Sequence, residues 1–113
     1  MVKSPDQVKA TLTEFIKLLE GTIDLYAVVL FGSYAKGKPR EFSDIDVAVF
    51  SPAFGGNPLE EMKMLLKLRR KVDIDIEPLP FNKEVFLHHA KTDFISEVLR
   101  QGKLLYKEGN LLF

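Results

Sequence analysis

Apolar residues recur along this chain in two rhythms. Val8, Leu12, Phe15, Ile16 and Leu19 stand three or four positions apart, the spacing of one face of a helix. Ser4-Pro5-Asp6-Gln7 opens that helix: Ser4 can cap it, Pro5 suits the first helical position and Gln7 completes a capping box. Gly21 closes it. From Leu25 to Phe31 the chain is almost continuously apolar, the pattern of a strand buried on both faces. Gly32-Ser33 breaks this run, Tyr34-Ala35-Lys36 suits a short helical turn, and Pro39 marks a loop. Ile45 to Phe50 predicts a second strand, with Asp44 and Asp46 facing one side and Ile45, Val47 and Val49 the other.

Residues 51–58 hold two Pro and two Gly and read as a loop. Beyond it the helical rhythm returns in Leu59, Met62, Leu65, Leu66 and Arg69. Lys63, Lys67, Arg69, Arg70 and Lys71 lie on or near that helix, as a solvated basic face or one turned to phosphate. Val72 to Glu77 then alternates, with Val72, Ile74 and Ile76 against Asp73, Asp75 and Glu77, and Pro78 and Pro80 are expected to end this third strand. Asn82 can cap a helix reaching to about His89. Thr92 or Asp93 can cap another that ends at Gly102, and Leu104-Leu105-Tyr106 suits a short edge strand. Leu111 to Phe113 is an apolar tail, either folded back on the core or an interface to a partner or a second copy. The expected fold class is α/β (α+β): a small mixed sheet with helices packed on it, one domain spanning residues 1–113.

Composition narrows the field. The chain has 113 residues, enough for one core. Lys and Arg number 16, as do Asp and Glu, so no global field draws the chain to nucleic acid or to a membrane. The absence of cysteine removes disulfide frameworks and thiolate chemistry. The apolar runs are too short to span a bilayer and no signal peptide is visible, so a cytoplasmic protein is expected.

Chemistry concentrates in Val28 to Phe50, where Gly32-Ser33 is followed after ten residues by Asp44-x-Asp46. Glycine lets the backbone turn and approach a ligand closely. Backbone N–H groups after it, with the Ser33 hydroxyl, can bind phosphate oxygens, and Lys36, Lys38 and Arg40 can neutralise a triphosphate. Asp44 and Asp46 place two hard oxygen donors on one strand face, which suits Mg²⁺. Four such fixed positions arise by chance in about one of 10³ chains of this length. His88-His89 is a weaker feature, because adjacent helical residues diverge and cannot readily share one ion. Tyr34 is either a base-stacking or a partly buried loop aromatic.

The stretch FGSYAKGKPREFSDIDVAVF resembles the signature of the minimal nucleotidyltransferases of the DNA polymerase β-like superfamily, and the resemblance extends to the leading helix and to RRKVDIDIEP. It implies a nucleotidyltransferase-like fold in which Gly32 and Ser33 hold the nucleotide's phosphates, beside the nucleotide-binding Lys36 read from the loop, and Asp44 and Asp46 bind Mg²⁺, two ions being expected. A third carboxylate on the next strand completes the catalytic and metal set. Asp73 fits its sequence context best, with Glu77 as the alternative and Asp75 on the same face. The implied reaction is attack of a hydroxyl on the α-phosphate of a nucleoside triphosphate, with release of pyrophosphate. Minimal members resemble the antitoxin half of a module whose other half is a HEPN ribonuclease toxin, and the implied reaction is AMP transfer from ATP to a toxin tyrosine. A non-catalytic binding module, and an enzyme acting on a small molecule or an RNA end, are the other readings. Neutral net charge weighs against RNA.

Overall fold

In the computed structural model, which describes residues 3–39, 44–89 and 93–113, the capping box forms as expected. Ser4 Oγ accepts from the Gln7 N–H at 3.2 Å, and Gln7 Oε1 accepts from the Ser4 N–H at 2.7 Å. Helix α1 (Pro5–Glu20) buries the stripe Val8, Leu12, Phe15, Ile16 and Leu19. Strands β1 (Ala27–Phe31) and β2 (Ile45–Ser51) pair antiparallel, from Ala27 opposite Phe50 to Phe31 opposite Asp46. Helix α2 (Pro58–Arg69), capped by Asn57, carries the chain to β3 (Ile76–Asn82), which lies parallel to β2. Two short helices, α3 (Lys83–Leu87) and α4 (Phe94–Gln101), lead to β4 (Lys103–Lys107) and β5 (Asn110–Leu111). The strand order is β3-β2-β1-β4-β5, a mixed sheet with helices packed on it, which is the expected α/β (α+β) class.

Strand alternation divides the core in two. Val28, Leu30, Ile45, Val47, Val49, Ile76 and Leu105 face α1 and α2. Ala27, Val29, Ala48 and Phe50 face the other way, onto Ile95 and Val98 of α4 and Phe86 of α3. Both faces of β1 and β2 are therefore covered, which explains their continuous apolar runs. Phe50 stacks on Phe81 with centroids 5.5 Å apart, and Phe31 meets Phe94 edge-on at 5.8 Å.

Two elements differ from the sequence expectation. The third strand begins at Ile76, where Val72 to Glu77 was predicted, and residues 70–75 form turns. The register with β2 runs from Ile45–Ile76 to Ser51–Asn82, straight through Pro78 and Pro80. Those prolines are accommodated because β3 is the outer strand of the sheet and pairs only with β2. The segment Lys103–Lys107 is not an edge strand: it is hydrogen-bonded to β1 on one side and β5 on the other. The C-terminal residues fold back on the chain itself, with Leu111 opposite Tyr106, the Leu112 N–H donating to the Leu105 carbonyl at 2.8 Å, and Phe113 packed against the core. Asp93 caps α4; Thr92, the other candidate cap, lies outside the described residues, as does Arg40.

Candidate active site

Three neighbouring strands bring the chemistry together. Phe31 at the end of β1 lies opposite Asp46 near the start of β2, and Asp46 lies beside Glu77 in β3. Alternation sets Asp46 on the same sheet face as Ala48 and Phe50, and Glu77 on the same face as Phe81. Gly32 follows Phe31 with φ +75°, a left-handed conformation that glycine adopts without strain. It is also a point of close approach: a Cβ added there would stand 2.3 Å from Asp46 Oδ2. Gly32 is thus required twice over, once by its backbone and once by the carboxylate resting against it.

After Gly32 the chain makes a hydrogen-bonded turn. The Lys36 N–H donates to the Gly32 carbonyl at 3.1 Å and the Lys38 N–H to the Ser33 carbonyl at 3.0 Å. Among the described residues, the N–H groups of Ser33, Tyr34 and Ala35 donate to no other protein group. They stand at the N-terminal end of this turn, where unpaired donors suit an anion. Ser33 is half-buried and Lys36 is exposed at the turn's surface.

Asp44 precedes β2 and is exposed, while Asp46 is half-buried. The Asp46 carboxyl is held above the usual carboxylate range, first by burial and then by the negative charges of Asp44 and Glu77. An all-oxygen, all-acidic donor set that raises its own proton affinity fits a hard divalent cation. Among the described residues no three acidic or imidazole groups converge as a complete metal centre.

The three candidate acids before and within β3 separate cleanly. Glu77 stands in register with Asp46 and is held by Arg69, whose guanidinium donates to it at 3.0 Å and to the Ile76 carbonyl at 2.9 Å. Asp73 and Asp75 lie in the turn before the strand, where Lys3 Nζ meets them at 3.4 and 2.6 Å. Asp75 holds the Lys3 ammonium above its ordinary range. Sequence reasoning gave Lys3 no role and saw Arg69 only as part of a basic face. Nothing in the spacing could have found Lys3, which is 70 or more positions from its partners. A cavity of about 860 Å³ opens on the α1 side of the turn, beside Tyr34 and Phe113, and contains none of these three carboxylates. His88 and His89 are both exposed; His88 pairs with Glu84 at 3.5 Å.

Comparison with known proteins gives this arrangement its relatives. Protein adenylyltransferase MntA of Shewanella oneidensis is 34% identical over 94 residues, 82% of this chain and 63% of that protein, so the chain spans less than two-thirds of its length. A toxin–antitoxin complex with AMP-PNP contains a chain 31% identical to this one, with a TM-score of 0.63 over 88% of this chain and 73% of that one. The complex of tri-AMPylated Shewanella oneidensis HEPN toxin with its MNT antitoxin gives 28% identity and a TM-score of 0.61 over 89% of this chain and 73% of that one. The sequence pattern of the family described as polymerase beta, nucleotidyltransferase, matches residues 13–110, which take in the glycine turn, both aspartates and strands β1 to β4. A match over that much of the chain, on a sheet that carries the motif at the ends of neighbouring strands, shows that this chain belongs to the polymerase beta nucleotidyltransferase family.

Proposed function

We propose that this chain is a Mg²⁺-dependent protein adenylyltransferase that transfers AMP from ATP to a tyrosine of a HEPN-domain partner in the cytoplasm, and so acts as an antitoxin. The observation that carries the reading is the seat of Asp46. Its carboxylate rests against Gly32, at the mouth of a turn with unpaired N–H groups, and has Glu77 in register beside it. Phosphate donors and acidic oxygen donors thus meet at one point, as phosphoryl transfer needs. The MntA relative and the AMPylated HEPN complex support the acceptor class.

In this reading the turn N–H groups and the Ser33 hydroxyl bind the phosphates, and Lys36 neutralises the part that faces solvent. Asp44 and Asp46 hold Mg²⁺, with Glu77 rather than Asp73 as the third carboxylate, because Glu77 stands in register with Asp46 while Asp73 lies in the turn before the strand. When bound, Mg²⁺ supplies charge stabilisation at the phosphoryl oxygens. In the same reading Glu77, which stands beside Asp46, accepts the proton of the acceptor hydroxyl as it attacks the α-phosphate and pyrophosphate leaves.

The test is incubation of the chain with ATP, Mg²⁺ and the product of the neighbouring gene, followed by intact-mass measurement of both proteins. The expected outcome is gain of whole AMP units on the partner, on tyrosine by fragmentation. No gain with ATP or any other nucleoside triphosphate would overturn the reading.

A further inference from the structure

The contacts of Lys3 join two parts of the chain that the sequence keeps far apart. Its main-chain N–H donates to the Tyr34 hydroxyl at 3.3 Å, and Tyr34 is part of the turn that follows Gly32. Its ammonium meets Asp75 at 2.6 Å and Asp73 at 3.4 Å, in the turn that enters β3. That turn is braced internally, with the Asp75 N–H donating to Asp73 Oδ1 at 2.8 Å. The carbonyl of Asp75 accepts the N–H of Ile45 at 2.8 Å, and Ile45 immediately follows Asp44. One residue therefore touches the phosphate side of the site and, through a single peptide, the metal side.

We propose that Lys3 is a positioning residue: it clasps the Gly32–Tyr34 turn to the Asp73–Asp75 turn, and so fixes the start of β2, where Asp44 stands, relative to the phosphate donors. This gives Asp73 and Asp75 a task that neither metal ligation nor solvation provides. The proposal rests on the nucleotidyl-transfer reading for its effect on catalysis, but the clasp itself is a property of the free chain.

Its parts are energetically sensible. Lys3 and Asp73 are mostly shielded from solvent, at 22% and 20% side-chain exposure, so their attraction is screened less than that of a surface pair. Asp44 is itself exposed and precedes the strand, and its side chain makes no hydrogen bond or ion pair among the described residues. Partners that orient metal ligands typically change metal affinity or activity by about 10–100-fold when removed.

The experiment reads Lys3→Ala, Lys3→Arg and Asp73→Asn/Asp75→Asn in two ways. Amide hydrogen exchange on the metal-free protein reports the clasp. In Lys3→Ala the Ile45 amide should exchange at least about tenfold faster while the central amides of β1 stay protected, a local opening. Lys3→Arg should restore protection. AMP transfer against Mg²⁺ concentration reports the consequence: the half-saturating Mg²⁺ should rise about 10–100-fold in Lys3→Ala and in the double aspartate variant. Combining the two changes should add little further, because both break the same link. Unchanged Ile45 exchange in Lys3→Ala, or full additivity of the two changes, would overturn the proposal. Faster exchange with wild-type Mg²⁺ dependence would reduce the clasp to a purely structural contact and overturn its positioning role. Should Lys3→Ala unfold, Lys3→Gln serves with the same outcomes. A wild-type chain that transfers nothing would refute the transferase reading alone, since Ile45 exchange still decides whether the clasp exists.

Discussion

Gly32 and Asp46 show how tightly single residues are specified at this site. Gly32→Ala carries two penalties: the left-handed backbone costs about 1–2 kcal/mol, and the new methyl displaces the Asp46 carboxylate. Urea denaturation should show that loss, and AMP transfer should fall roughly 10²-fold or more. Asp46 behaves in the opposite sense towards stability. Its raised pKa means that the folded chain keeps a proton where the unfolded chain has already released it. The stabilisation is complete below the ordinary carboxylate range and is lost as pH rises through the raised value. Asp46→Asn should therefore melt higher than wild type at neutral pH without metal, and the two curves should converge on acidification; melts by circular dichroism check this. Mg²⁺ should raise the wild-type melting temperature more than that of the variant. Gly32, Asp44 and Asp46 were legible in the sequence because their chemistry lies in one short stretch with fixed spacing. Lys3 and Arg69 were not, because their contacts depend on how α1, α2 and β3 pack.

At the scale of elements, β3 is where sequence and structure part. The alternation of Val72 to Glu77 does not survive in the fold: residues 70–75 approach the sheet as turns that leave Ile74 exposed, and pairing with β2 begins only at Ile76. Periodicity sees which residues share a face and is blind to the register that a partner strand imposes. The helices were easier to read, since Ser4, Asn82 and Asp93 each cap through local hydrogen bonds. The shift of β3 changes which acid is expected to matter. Glu77→Gln should lower transfer roughly 10²-fold or more, as loss of a principal charged group does. Asp73→Asn should retain measurable transfer, reduced within the 10–100-fold range of an orienting partner. Side-by-side initial rates at the Mg²⁺ concentration that half-saturates the wild type rank the two; equal rates in both variants would place the third carboxylate elsewhere.

Across the whole molecule, the sheet's outer margin at β3 offers no free N–H from Ile76 to Pro80. Register with β2 turns the peptide groups of Asp75, Glu77 and Leu79 inward, so those of Ile76, Pro78 and Pro80 face out. The Ile76 carbonyl is taken by Arg69, and its N–H is turned to Asp73. Pro78 and Pro80 have no N–H to offer. Restoring donors with Pro78→Val and Pro80→Thr together should make the molecular mass in light scattering rise with concentration, while wild type shows no such edge-driven rise. Consider what this means for growth. A ribbon built by adding copies side by side needs each copy to offer two open margins, one to receive and one to extend. Blocking a single margin is enough to cap every such polymer after its first junction, so the pair of prolines that looked like the end of a strand is expected to act as a chain terminator for edge-to-edge growth.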